Sequence, residues 1–230
     1  MGLSSGKKIS IIIPCLNEEQ ALPVILNQIP KFIDEAIVVD NGSTDKSVEV
    51  AQRYSVKIVY EELKGYGASL LKGINSANGD IVCLLDADAT YSFEDLEGLL
   101  ILMEKENLDF VSGCRFPLID KEHSMPLVNK MANLFISWFI GFLFGVRIKD
   151  SQSGLMVFRK EFFNTLEVHN KLMGFSQELK IRALLAKGSR CREKHIYYGL
   201  RIGESKFRKI QDGTQNFLSL LNLYFQFCKK

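Results

Sequence analysis

Three histidines, five scattered cysteines and a formal charge of only +2 leave several chemistries without material in this 230-residue chain. The cysteines (Cys15, Cys83, Cys114, Cys191, Cys228) are odd in number and form no C-x-x-C pair. That argues against a disulfide framework and a zinc site, and points to a reducing compartment. A net charge near zero gives no basis for bulk nucleic-acid binding. His123, His169 and His195 stand in no recognisable catalytic setting. No G-x-G-x-x-G follows the first strand-like run, which disfavours a dehydrogenase. No Gly-Lys-Ser/Thr follows at P-loop spacing. The N-terminus, Met-Gly-Leu-Ser-Ser-Gly-Lys-Lys, is short and polar, so no signal peptide is expected. The most apolar run, residues 131–146, falls short of the ~20 residues that a spanning helix needs.

What is present is a real core and a regular alternation. Apolar residues make up 47% of the chain, enough for one domain. Strand-like runs at 9–13, 36–39, 57–60, 81–85 and 109–112 alternate with helical spacing at 17–29, 44–54, 66–78 and behind Ser92. Ser92-Phe93-Glu94-Asp95 reads as a capping box. Buried strands alternating with helices predict an α/β fold on a parallel sheet with right-handed crossovers. The second half differs. It holds the apolar run, a further strand at 155–158, a helix at 174–187, a strand at 191–198 and an aromatic-rich helix at 217–227.

Asp86-Ala87-Asp88 ends the apolar run Ile81–Leu85. Alternation along a strand would point both carboxylates to the same side. Two hard anionic oxygens at one point suit Mg²⁺ or Mn²⁺, which commonly also hold a substrate diphosphate. Taken alone, the pair reads equally well as a solvated Asp-x-Asp turn. Asp40–Asp45 alone likewise reads as an Asn-Gly turn with a Ser or Thr cap, and Lys64-Gly65-Tyr66-Gly67 as a phosphate-approaching loop or a plain turn.

Together these segments carry a resemblance. Ile11-Ile12-Ile13-Pro14-Cys15-Leu16-Asn17-Glu18, Val38-Val39-Asp40-Asn41-Gly42-Ser43-Thr44-Asp45, Lys64-Gly65-Tyr66-Gly67 and Leu85-Asp86-Ala87-Asp88 resemble the GT-A domain of the family-2 inverting glycosyltransferases. Asp150-Ser151-Gln152-Ser153-Gly154, Gly174-Phe175-Ser176-Gln177-Glu178 and Gly203-Glu204-Ser205-Lys206 are similar to the dolichol-phosphate mannosyltransferase branch. The resemblance implies a GT-A domain over residues 1–210, with a Rossmann-like, mostly parallel sheet flanked by helices. Residues 9–115 would bind the nucleotide sugar and 116–210 the acceptor, followed by a C-terminal amphipathic helix at 211–230.

The implied activity is inverting transfer of a hexose from a nucleotide sugar, such as GDP-mannose or UDP-glucose, to a polyprenyl (dolichyl) phosphate. Donor contacts fall to Pro14, Asn17, Glu18, Asp40, Asn41, Lys64, Gly65, Asp86, Ala87, Arg201 and Lys206. Asp86 and Asp88 would hold Mg²⁺ or Mn²⁺. Asp88, Asp150, Gln152 and Glu178 are the catalytic candidates, Asp150 also reading as a turn acid and Glu178 as a helix-face charge. Relatives carry Gln two residues after the second Asp where this chain has Thr90, so a third protein ligand is in doubt.

A phosphate acceptor has a second pKa near ~6 and is largely dianionic at neutral pH, so it needs cations rather than a general base. Arg115, Lys130 and the neutral Asn133 are the candidates. Residues 131–146 carry Trp138 and several Phe between Lys130 and the pair Arg147 and Lys149. They read as an interfacial helix on the cytoplasmic face of a membrane, held peripherally, or as a buried core helix. Competing functions are a glycosyltransferase with a soluble or glycan acceptor, and a non-catalytic nucleotide-sugar-binding module.

Overall fold

Strand β1 (Ile9–Cys15) is flanked by β2 (Glu35–Asp40) on one side and β4 (Ile81–Leu84) on the other, both parallel to it. The computed structural model describes residues 6–117, 125–204 and 209–228, with no side-chain description for 209–212. Seven strands form one sheet in the order β3-β2-β1-β4-β6-β5-β7. Here β3 is Lys57–Tyr60, β5 Phe110–Cys114, β6 Met156–Arg159 and β7 Cys191–His195.

The sheet is mostly parallel, as expected. The departure is β6, which runs antiparallel between β4 and β5. A strand from the second half of the chain thus completes the sheet begun by the first. The chain reverses strand order between β1 and β4, and there ligands bind beyond the carboxyl ends of open α/β sheets.

The central strands β1, β4, β5 and β6 are buried on both faces because both faces are covered. On one side, Ile11, Ile13, Cys83 and Val111 pack against α1 (Leu22–Leu26), α2 (Ser47–Ala51) and α4 (Phe93–Lys105). On the other, Ile12, Val39, Leu84 and Phe158 pack against α3 (Tyr66–Ser76), α6 (Lys160–Phe163) and α7 (Phe175–Leu185). Helices α1 and α2 are much shorter than the spacing predicts. Residues 17–21 and 44–46 are drawn into loops by side-chain hydrogen bonds that compete with helix formation. The Ser92 cap forms: its Oγ accepts from Asp95 N at 3.0 Å. The reciprocal half of the box is diverted, since Asp95 Oδ2 accepts from Ser92 Oγ and from Tyr197 N.

A third cluster joins α5 (Leu127–Phe144), α7 and α8 (Lys209–Cys228) through Ile140, Ile148, Ile181, Leu220 and Leu223. Helix α5 is inside out. Its buried residues are Asn133, Ser137 and Ile140, while Leu127, Val128, Met131, Phe135, Trp138 and Phe142 are exposed.

Candidate active site

The loops after β1 and β2 are sewn together by the polar residues that the sequence singled out. Asn17, left-handed at φ 55°, accepts from Thr44 N at 2.7 Å through its Oδ1 and donates its own N–H to Ser43 Oγ at 3.0 Å. Glu18 N donates to Ser47 Oγ. Asp40 accepts from the amides of Gly42 and Ser43. Asn41 donates to the carbonyls of Glu61 and Leu63 and accepts from Gly65 N. Lys64 Nζ donates to the carbonyls of Asn41 and Gly42. These groups fix the loops that follow β1 and β2, and much of their hydrogen-bonding capacity is already spent on one another.

Gly65 has a packing reason to be glycine. At φ 147° it lets the backbone of Lys171 lie against the start of α3, where a Cβ would overlap the Lys171 carbonyl. The Ala68 amide at that helix start donates to the same carbonyl at 2.9 Å.

Asp86, Ala87 and Asp88 leave the strand and lie in a turn, so strand alternation does not set their directions. Asp86 Oδ1 accepts from Tyr66 OH at 2.8 Å. Its other oxygen faces Gly154, where a Cβ would overlap the carboxylate. Burial, and then the charge of Asp88, raise the Asp86 pKa to about 6, against the Tyr66 hydrogen bond and the charges of Arg115 and Arg201. Asp88 Oδ1 accepts from Thr90 N and from Thr90 Oγ1 at 2.6 Å. Thr90 therefore braces Asp88 from behind. Between them Ala89 is left-handed at φ 61°, a conformation that costs a non-glycine residue on the order of 1 kcal/mol or more and is commonly retained at functional sites.

Arg201 closes this end. One guanidinium nitrogen donates to Asp88 Oδ2 at 2.6 Å and another reaches Glu18 Oε1. Its Nε has no hydrogen-bond partner among the described residues. The Ile202 amide donates to the Asp88 carbonyl and Gly199 N to the Thr90 carbonyl, so the segment lies over the Asp86–Thr90 turn. Lys206 lies outside the described residues.

Among the described residues no three His, Cys, Asp or Glu side chains converge on one point. The donor set is two carboxylates, and a guanidinium already rests on one of them. That fits a Mg²⁺- or Mn²⁺-type ion, which takes one or two protein carboxylates and completes its shell with substrate phosphates and water.

The family model for glycosyl transferase family 2 matches residues 10–172. The chain belongs to glycosyltransferase family 2. An uncharacterized glycosyltransferase of Mycobacterium tuberculosis is 34% identical over 199 residues, covering 86% of this chain and 88% of that one. A dolichyl-phosphate hexose transferase of Haloferax volcanii is 29% identical over 209 residues, covering 90% and 89%. Among solved structures, glucosyl-3-phosphoglycerate synthase from Mycobacterium tuberculosis, in complex with Mg²⁺ and UDP, superposes with a TM-score of 0.78 at 19% identity, covering 97% of this chain and 81% of that one. The fold is GT-A.

On the other flank of this family-2 glycosyltransferase, Asp150 is fully buried in a polar network. Arg115 donates to it from its backbone N (3.0 Å), Nε (2.7 Å) and Nη2 (2.9 Å), and Asn133 Nδ2 donates at 2.7 Å. Burial alone would raise the Asp150 pKa; the charge and hydrogen bonds of Arg115 outweigh it and hold the carboxyl well below the usual range. Arg115 also lies over the Tyr198 ring, 4.9 Å from its centroid. Three sequence-predicted residues, two of them proposed for an acceptor, thus meet chiefly one another. Gln152 is half-buried on the same turn, and its backbone N donates to Asp150 Oδ1.

Glu178 stands apart from this cluster in its contacts. It accepts from the amides of His169 and Asn170 and from Arg182 Nε. It anchors the 169–172 loop that packs on Gly65. Lys130, half-buried, lies one turn before Asn133 on the same face of α5.

Sequence reasoning missed Tyr66, Tyr91, Lys180 and Glu193. Tyr91 OH accepts from Gly154 N, and Glu193 accepts from the amides of Lys149 and Asp150. Lys180 sits on a helix whose residues Phe175–Ile181 are all buried, so no polar stripe marks it.

Proposed function

We propose that this glycosyltransferase transfers a hexose, with inversion, from a nucleotide sugar such as GDP-mannose or UDP-glucose to a polyprenyl (dolichyl) phosphate at a membrane surface. The observation that carries the reading is the inverted helix α5. Its polar face, Asn133 and Ser137, hydrogen-bonds the Asp150–Ser151 turn, while its other face presents Trp138 and Phe142 at 64% and 73% exposure. A lipid acceptor needs a site with this property, where one helix borders both the chemistry and the hydrocarbon.

Helix α5 is long and apolar enough, by length and composition, to cross a membrane. Its polar contacts to Asp150 and Ser151 instead favour lying flat at headgroup depth, with Lys130, Arg147 and Lys149 near lipid phosphates. Peripheral attachment to the cytoplasmic face, where nucleotide sugars are available, follows from this reading. The Haloferax relative's name supports a dolichyl-phosphate acceptor, and the structural neighbour's Mg²⁺ and UDP support a nucleotide donor with a divalent ion.

In this reading the donor lies along Pro14–Glu18, Asp40 and Asp86–Asp88. A Mg²⁺ or Mn²⁺ held by Asp86 and Asp88 would offset charge growing on the departing diphosphate. Arg201 leaves Asp88 for the donor's diphosphate, where its Nε also gains a partner. The acceptor phosphate oxygen attacks the anomeric carbon as the bond to the diphosphate breaks, and no general base is required. Lys130 supplies the acceptor's cation. Arg115, matched to Asp150, keeps Asn133 and the Gln152 turn in place. Glu178 acts at a distance, through the 169–172 loop.

Incubating the protein with radiolabelled GDP-mannose or UDP-glucose, divalent metal and dolichyl phosphate should move label into the organic phase. No organic-phase label with any donor, alongside a labelled soluble glycan, would remove the acceptor assignment.

A further inference from the structure

Lys180 lies in the middle of α7 and is 1% exposed. Burying an ammonium costs several kcal/mol unless its donors are satisfied. Here they meet two backbone carbonyls, Asp150 O at 2.7 Å and Ser153 O at 3.0 Å. Burial pushes its pKa down to about 8, with Asp150 and Glu193 pulling the other way and Arg115 adding to the push. A leucine would fill the same space between Leu179 and Ile181 without that cost.

The two carbonyls belong to one turn, three of whose backbone amides are held by other side chains. Asp150 N donates to Glu193, Ser151 N to Ser137, and Gly154 N to Tyr91 OH. The turn ends at Gly154, which packs so closely on Asp86 that it has no room for a Cβ. Asp86 is thus gripped between Tyr66 OH on one oxygen and the Gly154 backbone at the other.

We propose that Lys180 is a positioning residue for Asp86: it ties down both ends of the Asp150–Gly154 turn so that Gly154 forms the wall that orients the metal-holding carboxylate. The inference rests on the metal-assisted reading given above. Lys180 touches neither donor nor acceptor.

The sign of one measurement separates positioning from simple charge. Removing a positive charge near the site strengthens cation binding through space. Releasing the turn weakens it, because Asp86 is no longer held in its binding rotamer. Mn²⁺ affinity in the presence of UDP or GDP, read by electron paramagnetic resonance of free and bound Mn²⁺, reports this without turnover. Lys180→Met, similar in volume but lacking donors, should weaken Mn²⁺ binding at least tenfold. Gly154→Ala, which pushes on Asp86 from the same side and leaves the buried charge alone, should do the same. Leu179→Ala, a core truncation on the same helix, should lower the melting temperature yet leave Mn²⁺ affinity within twofold of wild type.

Unchanged or tighter Mn²⁺ binding in folded Lys180→Met overturns the proposal, as does unchanged binding in Gly154→Ala. An equal loss in Leu179→Ala also overturns it, since general loosening then suffices. A wild-type protein that binds no Mn²⁺ with either nucleotide removes the metal-assisted reading itself, and this inference with it.

Discussion

Arg201 donates to Asp88 Oδ2 at 2.6 Å while its other terminal nitrogen reaches Glu18. A single guanidinium therefore bridges the loop after β1 and the turn after β4, on either side of the point where strand order reverses. Asp88 Oδ1 is engaged by Thr90, so Oδ2 is the oxygen that a cation must win. Arg201→Gln should tighten Mn²⁺ binding to the nucleotide-free protein and weaken UDP or GDP binding in the presence of Mn²⁺. We expect each shift to be about tenfold, the equivalent of roughly 1.4 kcal/mol. Titration calorimetry in both states checks it; two shifts of the same sign would contradict the exchange of partners.

Asp88→Asn keeps the side chain's shape and its acceptor for Thr90 but removes a charge. Transfer activity should fall on the order of 10²–10³-fold, the range seen when one preorganised electrostatic group is lost. Excess chelator should abolish wild-type turnover. Full activity in chelator would show that no metal is needed.

Asp150 gives the molecule an acid-sensitive component. Its folded pKa is depressed, so its contribution to stability is fully present above the unfolded value of about 3.9 and is lost as pH falls from there toward the folded value. Asp150→Asn leaves Arg115 buried without its counter-charge, which should cost about 3–5 kcal/mol at pH 7. The gap between wild type and variant should narrow below about pH 4. Urea unfolding at pH 7 and pH 3.5 tests this, and a gap that is constant with pH would contradict it.

The exposed face of α5 makes a membrane prediction with a specific choice of residues. Phe139 is half-buried and stacks on Phe217 at a centroid distance of 5.4 Å, so it belongs partly to the α5–α8 contact. Trp138 and Phe142 do not carry that structural duty and stack on each other at 6.1 Å. Replacing both with Ser should leave the melting temperature nearly unchanged. It should weaken flotation with anionic vesicles by at least tenfold, since burying each side chain is worth about 1.5–3 kcal/mol. Undiminished flotation would place the membrane contact elsewhere.

Much of the fold was legible because buried strands announce themselves. Lys57–Tyr60 was bounded correctly and Ile81–Leu85 to within one residue, each being a short apolar or β-branched run between turns. The direction of β6 was not legible, because Met156–Arg159 is buried by its neighbours whichever way it runs. The Asp86–Asp88 pair could be located by sequence. Its braces could not: Tyr66 and Gly154 reach it from elements 20 and 68 residues away in number. Lys180 was hidden for a related reason, since a helix buried on all sides offers no contrast by which to notice one charged residue.

The most direct test of the account sets two acceptors against each other on a membrane. Vesicles containing dolichyl phosphate and an equal concentration of 3-phosphoglycerate would be offered to the protein with labelled donor and Mg²⁺, and the label partitioned between organic and aqueous phases. The account predicts organic-phase label that is lost when the vesicles are omitted, and lost in large part with the Trp138→Ser/Phe142→Ser variant. Label confined to the aqueous acceptor, formed equally well without vesicles, would contradict it.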